Sequence, residues 1–236
     1  MLIDPSNGRV LEVLKSREKA VVLAYLRDHR ADLFAHLEEA TMDRWDGYVA
    51  AVREAFEGKV KISVERLHVM KNFQDQLSHA RREIQRRLPK GELKALKGSR
   101  WLWLKNPQDL NPEEKALLES LKQRLPLLRQ LADQRESLRA IFDDPKVTEP
   151  EEGKRRLSQW MTKAPQLGLE ALNRFCTTLG NCMDQIANYF ISRSSNGRTE
   201  GFYHGLRSIL WRAFGMRSFE HFRLRVLDRF GRTVPN

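Results

Sequence analysis

Apolar and polar positions alternate in short runs over the first 65 residues, then settle into a helical period for the rest of the chain. Met1-Leu2-Ile3-Asp4 and Arg9-Val10-Leu11-Glu12-Val13-Leu14 are extended runs around the turn-forming cluster Pro5-Ser6-Asn7-Gly8, which predicts a hairpin. Ser16 is placed to cap a helix through about Asp28, with Ala20, Leu23, Ala24 and Leu26 on its apolar side. Residues 37–42 read ambiguously, a short strand ending at Met42-Asp43 being one outcome. A helix follows over about 46–57, stopped by Gly58, and Val60-Lys61-Ile62-Ser63-Val64 alternates with the period of a strand.

From residue 66 the apolar spacing is helical throughout. The first long helix, about 66–88, turns Val69, Phe73, Leu77, Ile84 and Leu88 inward. A shorter element carries Trp101 and Trp103, and helices are predicted from Pro112, over 126–142 and around Gly153–Lys163. Leu169, Leu172, Cys176, Leu179, Met183, Ile186 and Phe190 step by three and four, the buried seam of one helix in a bundle. Ser192 to Gly197 breaks it, and two helices follow at about 199–212 and 218–230. The fold class is therefore α/β but mostly helical, in three segments: 1–65 with strands, 66–192 all helical, and 193–236 helical again.

Composition fits a globular chain of 236 residues, 41% hydrophobic and 31% charged. No apolar run approaches the ~20 residues of a membrane span, and the first residues lack the pattern of a signal peptide. Cys176 and Cys182 are six apart on one predicted helix, a rise of about 9 Å that puts them beyond disulfide reach. Cys176 reads as a small core residue, and a reducing, cytoplasmic setting is expected. The net charge of +11 is unevenly spread. Residues 66–105 hold 11 basic and 3 acidic residues, 193–236 hold nine Arg and 3 acids, and the other two segments are close to neutral. Two concentrated basic segments fit either a polyanion such as DNA or a pair of solvated helix faces.

Three sites carry candidate chemistry: Thr41-Met42-Asp43-Arg44-Trp45 at the end of the possible strand, Val64-Glu65-Arg66-Leu67-His68-Val69 directly after a strand, and Ser195-Asn196-Gly197-Arg198-Thr199-Glu200-Gly201 in the first turn of a helix. Singly, such carboxylates read as helix caps or dipole partners. In this order, and with Leu96-Lys97-Gly98-Ser99-Arg100-Trp101-Leu102-Trp103 between them and Arg212-Ala213-Phe214-Gly215-Met216-Arg217-Ser218-Phe219-Glu220-His221 after, the chain resembles the catalytic domain of DDE transposases of the ISL-three family of bacterial insertion sequences. The resemblance runs from about residue 9 to 229.

The resemblance implies an RNase H-like fold with a large helical insertion, cutting and joining double-stranded DNA at insertion-sequence ends. It implies Asp43 and Glu200 as the second and third carboxylates of a two-metal site for Mg²⁺ or Mn²⁺, which favour hard oxygen ligands. Glu65 and His68 stand as accessory residues, His68 reading equally as a structural histidine at a strand–helix junction. Arg198, Arg207, Arg212 and Arg217, with Arg81 and Arg82, are expected to hold the DNA backbone. Trp101 and Trp103 either stack on bases or pack. A homo-oligomer is a further expectation; a membrane partner is not. Glu65, Leu67 and Tyr203 depart from the family's Asp, Phe and Asn. The family's first Asp has no counterpart on an opening central strand, Asp4 belonging to the strand after it. The expectation is thus a partial RNase H-like fold, N-terminally truncated and catalytically incomplete alone. The alternative is a non-catalytic DNA-binding protein that modulates a full-length transposase.

Overall fold

The computed structural model describes residues 1–42, 46–193, 197–213 and 218–231, with the side chains of 46 and 198–200 outside that description. The chain divides into two compact units, Met1–Glu65 with Arg193–Asn236, and Arg66–Ser192. The first unit opens with β1 (Leu2–Asp4) and β2 (Arg9–Glu12), an antiparallel hairpin. Asp4 builds its turn: the carboxylate accepts the backbone N–H groups of Ser6 and Asn7 at 3.0 and 3.1 Å and the Asn7 amide at 2.6 Å. Gly8 closes the turn with φ +62°, the left-handed region open to glycine.

The helix α1 (Lys19–Asp28) starts later than its sequence signal. Ser16 does not cap it; its hydroxyl accepts the Glu18 N–H at 3.1 Å and forms a turn before the helix. Next come β3 (Glu39–Met42), α2 (Asp46–Ala55) and β4 (Lys61–Val64). The two strands run parallel in register, from Glu39 opposite Lys61 to Met42 opposite Val64. Glu39 looks too acidic for a strand of this kind, but its carboxylate accepts the hydroxyl of buried Ser63 at 2.5 Å. Val22 and Leu26 of α1, Val52 and Ala55 of α2, Phe56 and Ile62 form one core, and Leu2 and Leu11 of the hairpin pack against it.

The second unit is all helical: α3 (Arg66–Arg87), α4 (Lys90–Leu96), α5 (Arg100–Leu104), α6 (Pro112–Arg124), α7 (Pro126–Asp143), α8 (Pro150–Lys163), α9 (Glu170–Asn181) and α10 (Met183–Ser192). Prolines open α6, α7 and α8, where a missing N–H costs nothing, and Asn111 with Glu114 adds a capping box to α6. The inward face of α3 is Val69, Phe73, Leu77, Ala80 and Ile84. Residues 169–190 are two helices rather than the single one their spacing predicts. The chain breaks at Cys182, whose N–H bonds back to Leu179 and Gly180, and both halves bury the same side. Cys176 is a free thiol, and burial pushes it above its usual range, consistent with an inert core residue.

Gly153 on α8 lies directly beneath the Phe190 ring, where an added Cβ would sit 2.3 Å from it. Phe190 is 1% exposed and stacks on Phe142 at 5.5 Å, so the ring has no room to retreat. Gly153→Ala is therefore expected to destabilise the chain by about 1–3 kcal/mol, despite alanine's better helix propensity. A lowered urea midpoint would show it; an unchanged or higher one would mean the ring is free to move.

The chain then returns to the first unit with α11 (Gly197–Arg212) and α12 (Phe219–Phe230), the latter capped by the Ser218 hydroxyl. Leu206, Ile209 and Val226 close over Val10 and Val13 in a second core. The hairpin is thus covered on both faces, Leu11 meeting the α1–α2 core and Val10 the α11–α12 core. The architecture is a mostly helical α/β chain with two small sheets among the described residues.

Candidate active site and nucleic-acid surface

In parallel α/β arrangements, functional groups collect beyond the carboxyl ends of the strands. Here β3 and β4 end in register at Met42 and Val64, so the next residues along the chain are Asp43 and Glu65. Asp43 lies outside the described residues. Glu65 is 4% exposed, buried where β4 passes into α3. Thr41 and Ser63 face each other one pair before the strand ends, their hydroxyls 3.0 Å apart. His68 sits half-buried in the first turn of α3.

Glu200 falls in the first turn of α11, where the helix dipole favours a carboxylate. Three contacts hold this helix. Leu206 and Ile209 are buried over the hairpin, and Gly205 lets the Phe230 ring approach so closely that a Cβ there would lie 2.4 Å from it. The neighbouring α12 is in turn pinned to β2 by Arg223, whose guanidinium grips Glu12 through two bonds of 2.6 and 2.5 Å. The outer face of α11 presents Arg207 and Arg212, both exposed and without a carboxylate partner among the described residues. Tyr203, Leu210 and Trp211 are exposed on the same helix, Trp211 to 80%. Arg198 is placed on α11 by its backbone alone, and Arg217 lies outside the described residues.

Asp4, the acid nearest the start, is committed to its turn. Burial pushes its carboxyl up, but the bonds from Asn7 and Ser6 and the nearby Arg9 outweigh that and hold it below the usual range. Among the described residues no three His, Cys, Asp or Glu side chains converge as a metal site would require. No helix among them is long and apolar enough to cross a membrane.

The helical unit carries Arg81 and Arg82 on α3. It also separates the two tryptophans that the sequence leaves equivalent. Trp103 is buried and its indole N–H donates to the Ser99 hydroxyl at 3.3 Å, whereas Trp101 is 64% exposed with the Arg100 guanidinium 5.3 Å from its ring. Sequence spacing missed Arg100 as a functional candidate, and only the exposure of its neighbour singles it out.

A family model described as a transposase matches residues 1–226, nearly the whole chain. The chain belongs to that family, the ISL-three group of DDE transposases. Among curated proteins it is similar to the transposase for insertion sequence element IS1001 of Bordetella parapertussis, 22% identical over 233 residues. The match covers 98% of this chain and 56% of that protein, so the chain spans little more than half the length of its relative. No solved structure matches it.

Proposed function

We propose that this chain is the catalytic-domain part of a DNA strand transferase acting at insertion-sequence ends, with a partial RNase H-like core formed by the first unit and a helical insertion formed by the second. The family match across residues 1–226 carries this reading. The covering of the hairpin by helices on both faces and the place of Glu200 in the first turn of a firmly docked helix support it. Asp43 and Glu200 would be two of three carboxylates holding a pair of Mg²⁺ or Mn²⁺ ions, and the third is not assigned to any residue of 1–236, since Asp4 is spent on its turn. Bound there, the ions would activate the attacking hydroxyl and stabilise the leaving oxygen. The protein's own contribution is positional and electrostatic. The strand ends present carboxylates, α12 and the hairpin fix the helix of Glu200, and Arg207 and Arg212 neutralise backbone phosphates beside it. Catalysis would require a third carboxylate beside these two.

Titration of the chain with Mn²⁺, followed by its electron spin resonance signal, tests the carboxylates. Asp43→Asn and Glu200→Gln are each expected to abolish saturable Mn²⁺ binding while leaving salt-dependent affinity for insertion-sequence end DNA intact. Unchanged Mn²⁺ binding in both variants would remove them from the site. A wild-type chain that binds no DNA at any ionic strength would overturn the functional reading altogether.

A further inference from the structure

The corner formed by α3, α4 and α5 has an unbalanced charge. Between Ser78 and Trp101 the chain carries eight Lys and Arg but only two carboxylates, Glu83 and Glu92. Both are engaged elsewhere. Glu83 pairs with Arg87 and accepts the backbone N–H of Glu170 at the start of α9, and Glu92 pairs with Arg124. Arg81, Arg82 and Arg100 are therefore left without a carboxylate partner among the described residues. Arg81 and Arg100 line one shallow depression together with Leu77, Trp103 and Leu128. Burial, and then the like charges of Arg100 and Arg82, hold Arg81 below its ordinary basicity.

The same corner displays an aromatic ring on a rigid mount. Gly98, with φ +80°, makes the turn from α4 into α5. The buried Ser99 hydroxyl donates to the Leu96 carbonyl at 2.8 Å and receives the Trp103 indole. From α7, buried Arg135 donates to the carbonyls of Trp103, Leu104 and Lys105 at 3.2, 2.8 and 2.9 Å, satisfying the end of α5. A five-residue helix would fray without these anchors. With them, Trp101 is held outward in a fixed place, although nothing in packing requires a tryptophan that is 64% exposed.

We propose that this corner seats a single DNA strand: Arg81 and Arg100 take a backbone phosphate across the mouth of the depression, and Trp101 stacks with an unpaired base beside it. The proposal rests on the reading of the chain as a DNA-binding transposase and adds the place and the form of DNA. A duplex offers phosphates to the arginines but keeps its bases stacked inside, so the ring discriminates for unpaired nucleotides. Stacking on one aromatic side chain is worth about 1–3 kcal/mol by alanine substitution, or roughly five- to 150-fold in affinity.

The test is fluorescence anisotropy with the full chain, using a labelled duplex and the same duplex carrying a single-stranded fork, at several salt concentrations. Wild type is expected to prefer the fork. Trp101→Ala should remove at least five-fold of fork affinity and leave the duplex unchanged, with Trp101→Phe retaining most of it. Arg81→Ala with Arg100→Ala should weaken both DNAs and flatten the salt slope by about 0.7–0.9 for each phosphate no longer neutralised. Circular dichroism melts of these variants, all altered at exposed or half-exposed positions, separate weakened binding from misfolding. If wild type binds DNA but the Trp101→Ala and arginine variants bind the fork as wild type does, the corner is not the seat, and the transposase reading stands. If Trp101→Ala weakens fork and duplex equally, the ring does not read unpaired bases and the proposal fails. If wild type binds neither DNA, the underlying reading fails and the proposal with it.

Discussion

Arg223→Ala is expected to lower the unfolding free energy of the chain by about 3 kcal/mol, the lower end of the range for breaking a buried ion pair from one side. The pair joins residues 211 apart: the Arg223 guanidinium on α12 forks onto both oxygens of Glu12 on β2. The Glu12 side chain is 8% exposed and that of Arg223 30%, so the cost is set by the carboxylate left behind. Without Arg223, Glu12 keeps one bond, from the Val13 N–H at 2.7 Å, among the apolar side chains of the α11–α12 core. The Glu12 bonds hold the guanidinium above its already high ordinary range, so the arginine stays charged at any pH used for the experiment. Replacing both partners, with Glu12→Leu and Arg223→Met, should recover most of the stability, because no charge is then stranded. Urea denaturation followed by far-ultraviolet circular dichroism measures this. A single variant as stable as wild type would mean that water reaches Glu12.

Phe73→Ala should cost more, about 3–5 kcal/mol. Phe73 is fully buried on α3, its ring centroid 4.7 Å from Phe175 and 5.5 Å from Trp160, and those two rings lie 5.7 Å apart. The neighbours cannot fall into the vacancy easily. The Trp160 indole donates to the Gln134 carbonyl and the Ser137 hydroxyl at 3.0 and 3.1 Å, which ties it to α7. A cavity therefore persists, and the cost carries a cavity part as well as a transfer part. Leu67→Ala on the same helix is the control: Leu67 is 47% exposed and should cost under about 0.5 kcal/mol. Urea midpoints of both variants, followed by tryptophan fluorescence, decide it. Equal shifts in the two would mean that the aromatic cluster is not the core of the helical unit.

These elements show where a sequence speaks for its structure. The hairpin, α2, β4 and α3 are legible because each keeps one clean period, with Pro5-Ser6-Asn7-Gly8 turning the hairpin and Gly58 separating α2 from β4. The spacing from Leu169 to Phe190 misleads for a physical reason: periodicity records which side is buried, and α9 and α10 bury the same side although Gly180-Asn181-Cys182 ends one helix before the next begins. Ser16 misleads because a hydroxyl near a helix start serves a turn as well as a cap. At the candidate site, the order of the quoted motifs was enough to reach the family, and it placed Glu200 on its helix. The division of labour between Trp101 and Trp103 was not legible. It depends on Ser99 and on Arg135, which lies 32 residues along the chain from Trp103, whose carbonyl it holds.

The pairing of the first 65 residues with the last 44 also has a consequence for how the chain is made. The helical unit is continuous, from Arg66 to Ser192, and all of it is available for packing before α11 leaves the ribosome. The first unit cannot close then. Val10 and Val13 wait for Leu206, Ile209 and Val226, and Glu12 waits for Arg223. During translation the hairpin is held open for the time taken to add well over a hundred residues, about 5–20 each second, with its α11–α12 face bare. A message cut short before α12 would yield a folded insertion attached to an open hairpin, a product prone to aggregation and to proteolysis. The compartment around β2, against which α11 packs, is thus completed only once the helix that carries Arg223 has been made.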